Sequence, residues 1–210
     1  MAVVITVAQQ KGGAGKTMLA ANLAASLAAT SRVALLDIDP QRSLARWHTL
    51  RATHGDRVAA LEFSDVSGWR LGRELDQLQR DHDFVFIDSP PQIDTDARLA
   101  IRGADLVLIP VQPSPPDIWA AEGTLKLAAD ERRAARLALN RVPTGSRLRE
   151  SVEADIAARK LPVLHATLGN RTVFASAFAA GLGVTEAAPR STAAAELRAL
   201  LAEIQEITRR

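Results

Sequence analysis

Short apolar runs alternate along the chain with longer segments in which alanine and leucine recur at helical spacing. The runs are nearly continuous in Val, Ile and Leu, which is typical of strands buried on both faces of a sheet. They predict strands over Val3–Ala8, Arg32–Asp37, Val58–Phe63, Phe84–Asp88, Leu106–Val111, Arg136–Asn140 and Val163–Thr167. The longer segments predict helices over Lys16–Ala29, Ser43–Thr53, Trp69–Arg80, Thr95–Arg102, Asp117–Ala135, Arg147–Arg159, Thr172–Ala180 and Ser191–Thr208.

This alternation predicts an α/β fold, an open and mostly parallel twisted sheet with helices on both faces. No repeat, low-complexity linker or shift in composition divides the chain, so we expect residues 1–210 to form a single domain. In such sheets, ligands bind beyond the carboxyl ends of the strands. Polar residues that directly follow a predicted strand are therefore the first candidates for a functional site.

Composition removes several classes of protein. The chain has no cysteine and no tyrosine, which excludes disulfide frameworks, cysteine-ligated metal clusters and tyrosine autophosphorylation. The apolar run at the N-terminus lacks a basic leader and a cleavage site, and no apolar stretch approaches the ~18 residues of a spanning helix. We therefore expect a cytoplasmic protein that is not bound to membranes.

A glycine-rich loop follows the first predicted strand and leads directly into a helix. Clustered glycines allow backbone amides to surround phosphate oxygens, and the helix N-terminus adds partial positive charge. In this arrangement Lys16 reaches the β- and γ-phosphates and Thr17 ligates Mg²⁺. The usual pattern has glycine where this chain has Gln10, and a second lysine precedes the glycines. The candidate nucleotide-binding residues of the loop are Lys11, Gly12, Gly13, Ala14, Gly15, Lys16, Thr17 and Met18.

Carboxylates follow two further strands. Asp37 and Asp39 end the second predicted strand, and Asp88 ends the fourth. Because the carboxyl ends of parallel strands meet at one edge, these side chains point toward whatever the glycine-rich loop holds. Ionised aspartate is suited to orienting a water molecule or holding the hydration shell of Mg²⁺.

The loop resembles the deviant Walker A motif of the ParA/MinD family of P-loop ATPases, Lys-Gly-Gly-x-Gly-Lys-Thr, at all seven positions. Asp-x-Asp-Pro-Gln from Asp37 matches that family's second motif, and Asp-Ser-Pro-Pro from Asp88 is similar to its Asp-Thr-Pro-Pro Walker B end. The resemblance implies Mg²⁺-dependent ATP hydrolysis with slow basal turnover. It further implies that Asp39 positions the attacking water, while Asp88 and Asp37 support the metal shell. Lys11 would cross a dimer interface to the partner's phosphates, so that ATP bridges a homodimer.

Two further positions acquire roles through the same resemblance. Pro-Ser-Pro-Pro-Asp from Pro113 is similar to a segment of the small plasmid-partition branch, where it lies near the nucleotide and the dimer contact. Asn140 ends a later strand, where the family often contacts adenine. Many members have threonine where this chain has Met18, so one side-chain contact to the α-phosphate is missing. Pro113 and Asn140 can also be simple turn residues.

The sequence leaves more than one cellular role for the ATPase. The resemblance favours partition of plasmid or chromosomal DNA, with positioning of a protein cargo over the nucleoid as the alternative. Either would need a small ParB-like or cargo-adaptor partner that stimulates hydrolysis. A membrane-positioning role is disfavoured because the polar face of the last helix mixes acidic and basic residues. An amide-ligase relative and a binding module without turnover both fit Lys11 poorly.

The net charge is only +2, but basic residues concentrate in one region. Residues 131–171 contain nine basic and four acidic side chains. No aromatic residues are interleaved there, so we expect sequence-independent contact with the phosphates of duplex DNA and association with the nucleoid. The candidate DNA contacts are Arg141, Arg147, Arg149 and Arg171.

Overall fold

The computed structural model describes residues 1–66, 69–92, 94–145 and 147–209, without the side chains of Arg147 and Leu148. Within these residues, six strands form one sheet in which all neighbours are parallel. They are β1 (Val3–Val7), β2 (Val33–Asp37), β3 (Glu62–Asp65), β4 (Phe84–Asp88), β5 (Leu106–Val111) and β6 (Ala134–Leu139). Their order across the sheet is β3-β2-β4-β1-β5-β6. The predicted parallel α/β fold is confirmed.

Helices cover both faces of the sheet. They are α1 (Lys16–Ala28), α2 (Ser43–Ala52), α3 (Arg70–Asp81), α4 (Thr95–Gly103), α5 (Pro115–Asp130), α6 (Arg147–Ala158), α7 (Thr172–Ala179), α8 (Val184–Ala187) and α9 (Thr192–Thr208), with a 3₁₀ turn over Gly55–Arg57. On one face, α1 lies at the centre of a core that includes Trp47 of α2, Phe174 of α7 and Leu197 of α9. Helices α3 to α6 cover the other face. No described helix has the length and apolar character that crossing a bilayer requires.

The prediction of a strand over Val163–Thr167 was wrong. Val163 makes only an isolated bridge to Leu137 of β6. The backbone amides of His165 and Ala166 donate instead to the carboxylate of Glu203, which projects from α9. Because those donors are taken by a side chain, a regular ladder does not form.

Two further boundaries differ from the prediction by more than two residues. The third strand begins at Glu62 rather than Val58, since Val58 still closes the preceding 3₁₀ turn through a bond to the Gly55 carbonyl. The fifth helix ends at Asp130, five residues early, and Arg132 turns the chain with a φ of +55°. Alanine and arginine favour helices on intrinsic propensity, but pairing of β6 with β5 outweighs that preference here.

Candidate nucleotide site

The loop after β1 passes through left-handed backbone twice before α1 begins at Lys16. Gly13 has a φ of +78° and Gly15 a φ of +97°, values that residues with a side chain rarely adopt. A Cβ on Gly15 would also lie 2.5 Å from the side-chain nitrogen of Asn140. The loop and the start of α1 line a cavity of about 270 Å³. The glycines therefore shape an open anion-binding turn at the N-terminus of a long buried helix.

Lys16 lies at the base of this cavity and is only 7% exposed. Burial lowers the pKa of its ammonium group, while the negative charges of Asp88 and Asp39 act in the opposite direction. Within the described residues no carboxylate forms an ion pair with Lys16. A buried cation of this kind is stabilised by an anion that enters the cavity, as a phosphate would.

Asp88 is fully buried at the end of β4, and neither of its carboxylate oxygens has a hydrogen-bond partner among the described residues. Burial raises the pKa of this carboxyl to about 8. The Thr17 hydroxyl, which approaches without completing a hydrogen bond of good geometry, and the Lys16 ammonium oppose that shift. Removing both oxygens of an ionised carboxylate from water without partners is costly, so the ionised form of Asp88 favours a ligand such as a cation.

Asp37 lies beside Asp88 in the register of β2 with β4. Its two oxygens accept hydrogen bonds from the backbone amides of Asp39, at 3.0 Å, and Ala45, at 3.0 Å. Burial raises the pKa of Asp37, against the effect of those two bonds. Asp37 thus fixes the turn that carries Asp39 and the start of α2, while its lone pairs are partly used.

Asp39 is half-buried and lines the cavity opposite the glycine-rich loop. One of its oxygens accepts a bond from the Gln41 amide, which tightens the turn after β2. Its other oxygen has no hydrogen-bond partner within the described residues. Asp39 can therefore accept a hydrogen bond from a ligand in the cavity, such as a water molecule.

The side chains present fit a magnesium ion. Mg²⁺ prefers oxygen ligands, keeps several waters and is usually held by one or two carboxylates and phosphates. The unpartnered carboxylate of Asp88, the neighbouring Thr17 hydroxyl and the nearby Asp37 provide such a set. A cation there would also satisfy the buried oxygens of Asp88.

Lys11 does not extend freely from the loop. Its ammonium group forms an ion pair with Asp117, the buried third residue of α5, while the lysine side chain is 41% exposed. Asp117 also accepts a 2.6 Å bond from the Ser114 hydroxyl and a bond from the Gln112 amide. The sequence motifs give Asp117 no role of its own, although it ends the segment from Pro113 that resembles the plasmid-partition branch. Pro113 itself is buried just before α5.

Asn140 is 1% exposed and packs against the loop. Its side-chain nitrogen donates to the Ala14 carbonyl at 3.0 Å, and its oxygen accepts from the Arg141 amide at 2.9 Å. Met18 and Phe178 form part of the cavity wall. Phe178, which motif analysis missed, stacks on the buried Trp47 with ring centroids 6.2 Å apart. Phe178 lies in an apolar helical segment of alanine and phenylalanine, and such a sequence does not indicate a binding site.

The predicted DNA-contacting arginines follow the carboxyl ends of β6 and of the irregular segment beside it. Arg149 pairs with Glu153 one turn along α6, and Arg171 makes two bonds to Glu196 of α9. Arg141 donates to the carbonyl of Gly13 in the glycine-rich loop. The side chain of Arg147 lies outside the described part of the chain.

Comparison with known proteins identifies the family of the chain. Residues 5–184 match the family model described as the CobQ/CobB/MinD/ParA nucleotide binding domain. The chain belongs to this family. Among curated relatives of this nucleotide-binding family, "Maintenance of carboxysome distribution protein A" from Halothiobacillus neapolitanus is 33% identical over 208 residues, which cover 95% of each chain.

Two solved structures of the family share the fold. One is a McdA–ATP complex from Cyanothece, 18% identical with a TM-score of 0.78, covering 98% of this chain and 96% of that one. The other is the septum site-determining protein MinD with Mg-ADP from Pyrococcus horikoshii OT3, 19% identical with a TM-score of 0.79, covering 99% and 97%. At these identities the likeness establishes a common fold and no more.

Proposed function

We propose that this chain is a Mg²⁺-dependent ATPase of the positioning type, which works as an ATP-bridged homodimer. One observation carries the proposal: buried Lys16 and half-buried Asp39 line one cavity at the carboxyl edge of the sheet, and the buried carboxylate of Asp88, unpartnered among the described residues, lies close enough to Lys16 to raise its pKa. The ATP and Mg-ADP complexes of fold neighbours are consistent with that ligand. An amide-ligase role fits less well, because Lys11 would then have no function.

Each side chain contributes a distinct step to hydrolysis. The amides of the loop and the Lys16 ammonium group bind the β- and γ-phosphates, which carry the charge that builds up during phosphoryl transfer. Asp88 and Thr17 would hold Mg²⁺, which would supply positive charge against the negative charge of the phosphates. Asp39 orients the attacking water. Lys11 leaves Asp117 and supplies positive charge to the partner's nucleotide, so dimerisation completes the site.

The test of this proposal is Mg-ATP hydrolysis, measured by phosphate release. Lys16→Ala removes a charge-assisted contact worth about 1.5–3 kcal/mol, so we expect ATP affinity to fall by about 10- to 150-fold. Lys126→Ala is the matched control, since Lys126 is exposed on α5 away from the cavity. Equal activity of both variants would contradict the assignment of the site.

We infer further that the cargo is a protein assembly. The relative that matches along nearly its whole length is named for the distribution of carboxysomes. Partition of plasmid or chromosomal DNA is the second candidate, favoured by the segment from Pro113 that resembles the small plasmid-partition branch. Deleting the gene distinguishes the two: clustering of a protein assembly supports the first, and loss of a plasmid with normally spaced assemblies supports the second. A small adaptor protein would stimulate hydrolysis in either case.

We propose that the ATP-bound dimer binds duplex DNA through arginines at the carboxyl edge near β6. An exposed pair such as Arg149–Glu153 is worth only about 0.3–0.5 kcal/mol, so a phosphate can replace the glutamate. Arg171 is less available, because Glu196 also binds the Gly169 amide. A face-to-face dimer brings two such edges together, which predicts ATP-dependent binding that weakens steeply with salt.

A filter-binding titration at several salt concentrations tests the DNA surface. Arg147→Ala with Arg149→Ala should reduce the slope of log affinity against log salt by about two units per engaged surface. Arg132→Ala with Arg133→Ala is the control, since those exposed residues lie at the opposite, amino end of β6. Binding that ignores ATP, or responds only to the control pair, would contradict this surface.

A further inference from the structure

Arg141 is a second cation in the wall of the nucleotide cavity, besides Lys16. It lies among the residues that line the cavity, together with the loop glycines, Met18 and Phe178. Its guanidinium donates to the Gly13 carbonyl at 3.2 Å. Among the described residues no carboxylate pairs with it, in contrast to Arg149 and Arg171. Its positive charge is therefore uncompensated at the edge of an anion-binding loop.

The backbone holds Arg141 in this place at some cost. Its φ of +53° lies in the left-handed region, which arginine seldom adopts. The Arg141 amide donates to the Asn140 side chain, whose nitrogen is bound in turn to the Ala14 carbonyl. The next amide, of Val142, bonds to the Leu168 carbonyl. The chain after β6 is thus fastened on both sides of Arg141, and the side chain folds back over the loop.

The contact with Gly13 is a weak substitute for an ionic partner. A carbonyl is a neutral acceptor, whereas a hydrogen bond from guanidinium to a phosphate oxygen is charge-assisted and roughly twice as strong. The guanidinium can also present two donors to one phosphate. A nucleotide seated in the loop therefore offers Arg141 a better acceptor within reach of its present position.

We propose that Arg141 binds a phosphate of the nucleotide in its own subunit, and that it is not part of the DNA surface to which its basic neighbourhood assigns it. This rests on the proposed function only in taking a nucleotide as the ligand of the cavity. Arg141 would then help to set the affinity for the nucleotide, although it belongs to none of the sequence motifs. Arg141 directly follows Asn140, so it connects the end of β6 with the glycine-rich loop that would hold the nucleotide.

Calorimetric titration with Mg-ADP tests the proposal without hydrolysis. We expect Arg141→Ala to weaken binding about tenfold, and Arg141→Lys, which keeps the charge but loses the paired donors of the guanidinium, to restore part of the affinity. Arg141→Asn is a second neutral variant, because asparagine tolerates left-handed backbone and so avoids strain that alanine introduces. Arg136→Ala is the matched control, since Arg136 lies on β6 with its guanidinium bonded to the neighbouring Ala135 carbonyl.

The ionic-strength dependence separates a phosphate contact from a purely structural one. Loss of one cation should flatten the slope of log affinity for Mg-ADP against log salt in both neutral variants, which a change in loop shape alone would not do. DNA retention at saturating ATP should keep the wild-type salt slope. The proposal is overturned if the neutral variants bind Mg-ADP within twofold of wild type, or if only their DNA slope falls. Failure of the wild type itself to bind Mg-ADP would instead overturn the proposed function.

Discussion

From the burial of the Asp88 carboxyl we predict that the metal-free protein loses stability as the pH rises. Burial raises its pKa to about 8 from an ordinary value of 3.8, so the native state keeps a proton that the unfolded chain has already released. The stability from this proton is complete below about pH 4 and is lost as the pH rises toward 8. One proton corresponds to about 1.36 kcal/mol per pH unit, or about 2.7 kcal/mol between pH 5 and pH 7. The raised pKa of Asp37 acts in the same direction.

Urea unfolding with EDTA, at pH 5, 6 and 7, measures this effect. Asp88→Asn is nearly isosteric and cannot titrate, so the difference between the two pH slopes isolates the carboxyl group. We expect the free energy of unfolding of the wild type to fall more steeply, by about 1.4 kcal/mol per pH unit. If the slopes agree within about 0.3 kcal/mol per unit, Asp88 titrates in its ordinary range and the argument from burial fails.

Bound Mg-ADP should oppose the pH dependence that Asp88 gives to the stability of the protein. A metal requires the ionised carboxylate, so binding releases the proton and becomes tighter as the pH rises toward 8. The pH slope of stability should therefore flatten in the wild type when Mg-ADP is present, and should change little in Asp88→Asn. Undiminished Mg²⁺-dependent stabilisation of the variant would show that Asp88 is not a metal contact.

Three further outcomes can be measured. Lys11→Ala should bind Mg-ATP normally but remain monomeric in light scattering, because only the charge supplied to the partner is lost; equal loss of ATP affinity would contradict that role. Asp39→Ala should bind ATP and give a long-lived dimer with slow phosphate release, and a monomeric ATP-bound variant would make Asp39 structural. Gly181→Ala should cost at least about 2 kcal/mol more in urea unfolding than Gly145→Ala. Both glycines have positive φ, but a Cβ on Gly181 would lie 2.5 Å from the Arg51 backbone nitrogen, while Gly145 has open space.

The sheet and its phosphate loop could be predicted because their signals are local. β-Branched runs such as those of β1 and β5 are buried on both faces, which leaves a nearly continuous apolar sequence. The glycines at 13 and 15 are required by the backbone itself, since both adopt left-handed conformations. Asp37 and Asp88 follow from the same logic, because adjacent parallel strands must end at one edge.

The rest depends on partners that are distant in sequence. The segment near Val163 has the composition of a strand, yet Glu203 takes two of its amides from α9. Arg171 belongs to a basic region of the sequence, but Glu196 compensates its charge. Arg141 lies in the same basic region but contacts no carboxylate of the described residues, because a left-handed turn directs its side chain over Gly13. Charge counts along the chain cannot distinguish these outcomes.

The sequence motif that contains Lys11 does not reveal how much free energy it costs to move this lysine to a partner subunit. Its ion pair with Asp117 has to break before the lysine can reach a partner subunit, and breaking a buried pair is costly when it leaves a bare charge. Here the Ser114 hydroxyl still donates to one oxygen of Asp117, and the Gln112 amide donates to the other. The carboxylate therefore stays solvated by the protein after the lysine has left, while the half-exposed lysine is already in contact with water. We therefore expect the cost of release to be small enough for a phosphate of the partner's nucleotide to offset, which the role proposed for Lys11 requires.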